Sequence, residues 1–380
     1  MRLLTVTHFY ETHGGGIERV AGRLNRHLAA MGHETLWAAS DGDPAPGPET
    51  AAPVPLHCNN VVERLSGLPM PLPSPAALKR LAAAVRESDV VIVHDGLYAT
   101  SVAALRAARK AGKKVLLVQH IAAIPFRNAL LRGAIGLANR LITAPMLGAA
   151  DQVVFISETT AAHFAGIRFK RPPLTIFNGV DTDLFRPAAP GEKEAARRHL
   201  LLAPDAPAAL FVGRFVEKKG LYALKALAAS RPGVAFLLAG GGPIDPARWG
   251  LANVRVLAGY SGERLAALYR AADVFVLPSV GEGYPLVVQE ALATGLPVLC
   301  GAESAVADPA ATPFLHGLAV DPAAPAATAA AFAEALDAVL AAPGNPGAAD
   351  FARERYSWEQ VARRYDAAIK ALTGESSARI

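Results

Sequence analysis

The chain has 380 residues, 52% hydrophobic and 19% charged, with a formal net charge of +5. That length carries two domains with cores of their own, and the composition excludes a disordered or fibrous chain. The small positive surplus falls well short of a nucleic-acid-binding signature, and the sequence has no zinc or nucleic-acid motif. Cys58 and Cys300 are far apart and set among apolar residues, which speaks against a disulfide framework and for a reducing compartment. The opening MRLLTVTHFYETHGGG has too short an apolar run for a secretory signal. No stretch approaches the ~18 apolar residues of a spanning helix. A cytoplasmic protein is expected.

In chain order, the predicted strands of the first half are RLLTVT from Arg2, ETLWAAS from Glu34, DVVIVH from Asp89, KVLLVQH from Lys114 and QVVFIS from Gln152. A helical pattern begins at Ile17 and stops at Gly32, where a glycine suits a helix end. The stretch Phe169 to Gly191, rich in proline and turn residues, reads as a linker. A second strand series follows: PAALFVGRF from Pro207, GVAFLLAG from Gly233, NVRVLAG from Asn253, DVFVLPS from Asp273 and LPVLC from Leu296. The tail from Tyr356 reads as one amphipathic helix. Apolar strands alternating with helices predict parallel sheets covered on both faces, hence two doubly wound α/β domains across a cleft. The boundaries expected are 1–172 and 173–358, with the helix of 359–380 returning to the first domain.

The chemistry concentrates in VLPSVGEGYPLVVQEALATGLPVLC, from Val276 to Cys300. A strand runs into the loop VGEG, and Pro285 stands where a first helical residue would. The amides of Leu286, Val287 and Val288 then lack intrahelical acceptors, which makes an anion site, most naturally for phosphate. Glu290 shares their face one turn on and is placed to accept hydrogen bonds from ribose hydroxyls. Glu282, in the loop, would do likewise for a sugar beyond the phosphates. Arg214 and Lys219 straddle a strand–helix turn and would converge on a diphosphate, with Lys218 as the nearby alternative.

Glu282 and Glu290 with seven residues between them, Arg214 with Lys219 in GRFVEKKG, NGVD at Asn178, GGGIE at Gly14 and YSW at Tyr356 occur in the order found in one family. With these motifs the chain resembles the retaining glycosyltransferases of family 4, which have the GT-B fold of two Rossmann-like domains. The resemblance covers essentially the whole chain. It implies transfer of a hexose from a UDP- or GDP-linked sugar, without metal, to a lipid-linked or cell-surface glycan, as in lipopolysaccharide or other polysaccharide synthesis. Front-face displacement is implied, the leaving diphosphate helping to accept the proton. Catalytic roles fall to Glu282, His120, Arg214 and Lys219. Donor contacts fall to Gly15, Gly16, Arg214, Lys219, Tyr260, Glu282, Gly283, Tyr284, Pro285, Leu286, Val287 and Glu290. His120, at the end of KVLLVQH, would meet the donor sugar near its 6-position, and LAGY, ending at Tyr260, the base.

Other readings stay beside these. A nucleotide-sugar epimerase on the same fold, or a binding module without turnover, would use the same donor site. The GGG at Gly14 lacks the spacing of a dinucleotide loop, which weakens NAD binding. The acidic triplets at Asp41 to Asp43 and Asp181 to Asp183 lack the strand context of a metal-binding D-x-D, so no metal is expected. His94 is open between a site and a structural role. In segment 126–147, Arg127, Arg132 and Arg140 punctuate an apolar run with Phe126, Leu130, Leu131, Ile135, Leu137, Leu141 and Ile142. It reads equally as an interfacial helix or a core helix with a solvated edge. The resemblance favours peripheral contact with the inner face of the cytoplasmic membrane.

Overall fold

The two strand series form two separate parallel sheets, one in each of two compact units. The computed structural model describes residues 1–62, 70–122, 133, 136–341 and 344–374. Unit 1 comprises Met1–Asn178 and Trp358–Ile380, and unit 2 comprises Gly179–Ser357.

Unit 1 contains β1 (Arg2–Val6), β2 (Glu34–Ser40), β3 (Ala52–Leu56), the small antiparallel pair β4 (Cys58–Asn59) and β5 (Leu72–Pro73), then β6 (Val90–His94), β7 (Lys114–Gln119), β8 (Gln152–Phe155) and β9 (Leu174–Thr175). Its main sheet has the order β3-β2-β1-β6-β7-β8-β9 with every pair parallel. Leu3 and Leu4 on β1, and Val90, Val91, Ile92 and Val93 on β6, are consecutive runs that are fully buried, as strands covered on both faces require. Each such side chain contributes about 1.5–3 kcal/mol on burial. Helix α1 (Gly16–Ala30) turns Val20, Ala21, Leu24 and Leu28 inward.

Unit 2 contains β10 (Ala208–Arg214), β11 (Ala235–Gly241), β12 (Val254–Leu257), β13 (Val274–Leu277), β14 (Val298–Gly301) and β15 (Leu315–Leu318). The order is β12-β11-β10-β13-β14-β15, again all parallel. Between the strands run α2 (Leu221–Ser230), α3 (Gly262–Ala271) and α4 (Leu286–Ala293). In both sheets the strand order reverses beside the first strand, at β1/β6 and at β10/β13. Loops leaving the carboxyl ends of those strands diverge and leave a crevice.

Several expectations change. The linker stretch contains β9, which pairs with β8, and Ile176, Phe177 and Val180 are buried despite the surrounding prolines. Strand β3 escaped the sequence reading because its five residues include Pro53 and Pro55; as the edge strand it tolerates missing donors. The tail is not one helix from Tyr356. Tyr356 ends a helix, Ser357 is extended with ψ 143°, and a new helix, α5, runs Trp358–Thr373. That helix lies on α1, where the His27 and Trp358 rings stack at 5.7 Å and His33 Nε2 lies 2.9 Å from Asp366 Oδ1. Of segment 126–147, residues 126–132, 134 and 135 lie outside the described residues, and with them Phe126, Arg127, Leu130, Leu131, Arg132 and Ile135. Leu137, Arg140, Leu141 and Ile142 are exposed. Among the described residues no helix is long and apolar enough to cross a membrane.

One glycine holds the two inner loops of unit 2 together. Gly220 has φ +74°, and a Cβ there would stand 2.0 Å from the Pro278 carbonyl oxygen. Gly112 has a similar φ of +66° but open space around it. Gly112→Ala is therefore expected to cost on the order of 1 kcal/mol of backbone strain, and Gly220→Ala about 3 kcal/mol or more. Urea denaturation of both variants checks this. Equal losses would show that the Gly220–Pro278 approach relaxes without penalty.

Candidate active site

In unit 2 the carboxyl end of β10 delivers Arg214, which is exposed, and a short 3-10 turn, Glu217–Lys219, follows. Gly220 then caps α2. On the neighbouring strand, β13 is followed by Pro278 and the loop carrying Glu282. The Val280 amide donates to the Lys218 carbonyl at 3.0 Å and so laces the two loops. The result is a contact the sequence reading did not anticipate. Lys219 Nζ lies 3.1 Å from Glu282 Oε1, and the side chains are only 13% and 14% exposed. Lys218 Nζ stands 3.5 Å from the same oxygen and is more exposed. Burial pulls Lys219 below the usual lysine range; Glu282 opposes the drop, while Lys218 and Arg214 add to it.

Pro285 caps α4 rather than beginning it, because its ψ of 128° is extended, so Leu286 is the first helical residue. The Val288 amide donates to the Pro285 carbonyl at 3.0 Å, which removes it from the expected set of unsatisfied donors. The amides of Leu286 and Val287 have no acceptor among the described residues. One turn on, Glu290 Oε2 accepts a 2.7 Å hydrogen bond from the Tyr269 hydroxyl of α3. Tyr284 departs from the expected donor contact: its side chain is 3% exposed and its hydroxyl lies 3.2 Å from that of Tyr356. The phenol is turned into the core, so only its backbone faces the loop, next to Gly283. Tyr260 lies beyond β12 with the Arg264 guanidinium 4.4 Å above its ring. No hydrogen bond or ion pair among the described residues ties Tyr260 to the Lys219–Glu282 group.

Unit 1 gathers a different set at its own strand ends. Gly14 has φ +85°, Gly15 caps α1 and Gly16 is its first residue. Glu18 folds back over Gly15, where a Cβ would meet Glu18 Oε2 at 2.1 Å. His8 Nε2 lies 2.8 Å from Glu18 Oε1, both buried, and the His8 ring stacks on Tyr98 at 3.9 Å. Burial pushes the Glu18 carboxyl up, but the hydrogen bond and charge of His8 outweigh it and hold it below its ordinary value. His120 is 7% exposed, and its Nε2 lies 2.9 Å from His94 Nδ1, so the two histidines form one pair. Asp95, at the left-handed φ of +68°, accepts from Gln119 Nε2 at 2.6 Å and from the Ile121 amide at 3.2 Å. The sequence reading missed His8 and Asp95 and treated Glu18 only as part of a motif. An acid three residues past a capping glycine was the available signal for Glu18.

Residues 14–184 match the family model described as Glycosyltransferase Family 4, and residues 206–340 the model described as Glycosyl transferases group 1. The chain belongs to glycosyltransferase family 4. Among curated proteins, it is 34% identical over 240 residues to a D-inositol 3-phosphate glycosyltransferase of Segniliparus rotundus, covering 57% of this chain and 51% of that one. The chain thus spans about half the length of that curated relative. Solved structures match over almost the whole chain. The sucrose-phosphate synthase of Thermosynechococcus elongatus has a TM-score of 0.76 at 21% identity, covering 99% of this chain and 100% of that one. Anabaena HepE, solved with UDP and glucose, has a TM-score of 0.69 at 18% identity, covering 98% and 100%. These likenesses make the fold of this family-4 chain GT-B, two Rossmann-like domains with parallel sheets.

The buried histidine pair and Asp95 give the stability of unit 1 a pH dependence with two opposed parts. Burial holds His94 well below an ordinary imidazole and brings His120 down to about 3, the charge of His8 adding to the drop in His120. Unfolded imidazoles bind protons near 6.5, so the unfolded chain takes up more protons and stability falls as pH drops from there toward 3. Burial raises Asp95 to about 7 against 3.8 unfolded, so its part falls as pH rises between those values. Urea denaturation from pH 4 to 6 should show His120→Gln losing a positive slope of about 1.4 kcal/mol per pH unit, and Asp95→Asn losing a negative one. A slope unchanged in His120→Gln would mean that this ring is not buried in its neutral form.

Proposed function

We propose that this family-4 chain is a retaining glycosyltransferase that moves a hexose from a nucleoside-diphosphate sugar to a hydroxylated acceptor without a metal ion. The observation that carries the reading is the ion pair of Lys219 with Glu282 at the β10/β13 switch point, with Glu282 in the loop that leads to the Pro285 cap of α4 and Arg214 at the end of β10. Two free amides, a buried ammonium and a guanidinium suit a diphosphate, whose charge grows as the glycosidic bond breaks. In this reading Arg214 and Lys219 bind the diphosphate, with the Leu286 and Val287 amides. Glu290 accepts from the ribose hydroxyls. Glu282 accepts from the donor sugar while keeping Lys219 protonated. Gly15 and Gly16 let backbone approach the ligand, His120 meets the sugar, and the backbone near Tyr260 meets the base.

For the acceptor, the name of the curated relative speaks for a phosphorylated polyol of the inositol phosphate class. That takes the place of the lipid-linked or cell-surface glycan expected from the sequence. The exposed Leu137, Leu141 and Ile142 around Arg140 still support contact of this stretch with a membrane surface. Incubation of the purified enzyme with UDP- or GDP-hexoses and either D-inositol 3-phosphate or a lipid-linked saccharide tests the acceptor. A glycosylated lipid product with no glycosylated inositol phosphate would reverse the choice.

Two further results are expected. Arg214→Ala should lower kcat/KM by an amount worth about 2–4 kcal/mol of transition-state stabilisation. Activity within threefold of the parent would place the diphosphate elsewhere. Transfer should persist in EDTA, because in this reading Arg214, Lys219 and the α4 amides neutralise the diphosphate without a bridging metal. Loss of transfer in EDTA, restored by magnesium or manganese, would return Asp181 and Asp183 to consideration as ligands.

A further inference from the structure

Glu290 ends in a carboxylate whose last torsion is broad and roughly two-fold, so its plane is not set by the helix that carries it. Tyr269 supplies what the helix does not. Its ring is fully buried on α3, edge-on to Phe185 at 5.4 Å and stacked with Phe275 at 5.7 Å. From that fixed platform its hydroxyl reaches Glu290 Oε2 at 2.7 Å and the Val287 carbonyl at 3.4 Å. Burial first, and then the charge of Glu290, hold the phenol well above its ordinary value, so it stays a donor throughout the range in which an enzyme works. A carboxylate has about four acceptor positions, and the bond from Tyr269 restricts its rotation while using one of them.

We propose that Tyr269 is a positioning residue that orients the Glu290 carboxylate toward the vicinal hydroxyls of a bound nucleotide's ribose. This rests on the reading that Glu290 holds the ribose. Tyr269 touches no part of the ligand; it acts by removing the torsional freedom that Glu290 would otherwise lose on binding.

Tyr269→Phe is the variant to make, since it keeps the ring between Phe185 and Phe275 and deletes only the hydroxyl. Tyr269→Ala is unsuitable, because Tyr269 lines a cavity of about 490 Å³ with Arg197, Asp273, Thr294 and Leu296, and truncation would enlarge it. Calorimetry with UDP, GDP and ADP identifies the nucleoside diphosphate that binds, and its 2′,3′-dideoxy analogue serves as the control ligand. Tyr269→Phe is expected to weaken the ribonucleotide on the order of tenfold. Donor KM should rise to match, kcat should change little, and affinity for the dideoxy analogue should stay as in the parent. Equal losses for both ligands would reduce Tyr269 to a structural role and overturn the proposal. So would an intact ribonucleotide affinity in Tyr269→Phe alongside a loss in Glu290→Ala. If Glu290→Ala itself binds both ligands as the parent does, the ribose reading of Glu290 falls first, and this inference with it.

Discussion

The unit 2 site depends on one close approach, that of the Gly220 backbone to the Pro278 carbonyl, and on the Val280–Lys218 hydrogen bond beside it. Without them the loops leaving β10 and β13 diverge, as switch-point loops otherwise do. With them Lys219 and Glu282 are pressed together out of most of the solvent. Such a pair is a poor source of stability, because desolvation of two charges offsets most of their attraction. Its value is electrostatic. Glu282 opposes the burial that pulls Lys219 down, and a buried ammonium acts on a nearby anion through a lower dielectric than bulk water provides.

The same topology in unit 1 carries opposite chemistry. There the strand ends β1, β6 and β7 hold His8, His94, Asp95 and His120. Burial drives His94 and His120 toward the neutral form and Asp95 toward protonation. Burial raises Glu18 too, but the hydrogen bond and charge of His8 outweigh it and keep that carboxyl below its ordinary value. One sheet end therefore offers cations and free amides, and the other a hydrogen-bonding surface of low charge.

What could be read from the sequence was what is local. Strand β2 was placed to the residue, and the strand–loop–helix run from β13 to α4 to within two residues, because apolar run, glycine loop and proline follow one another directly. Pairings across strands were not legible. Nothing in the spacing of Lys219 and Glu282 says that they touch, since their approach comes from the β10–β13 register and a glycine whose role appears only in three dimensions. Tyr269 was hidden for the same reason: on α3 it reads as one more apolar core residue. The prolines of β3 and of the stretch holding β9 signalled loops, and tertiary pairing overrode them.

Tyr284 shows how a motif mixes two kinds of residue. It stands between Glu282 and Glu290, yet its phenol goes inward to Tyr356, whose hydroxyl in turn donates to the fully buried Asp308. Arg355 closes the group with a 2.8 Å bond to the other Asp308 oxygen. The chain leaves unit 2 immediately afterwards, where Val180 and Ser357 form a bridge and the Val180 amide donates to the Tyr356 carbonyl at 2.7 Å. The start of α4 is thus tied, two hydrogen bonds away, to the segment where both crossings of the chain run side by side. A shift of that segment would have to be accommodated at Tyr284, next to the amides of Leu286 and Val287. Glu282 and Glu290 thus flank a residue whose side chain belongs to the core, in the loop directly before the Pro285 cap of α4.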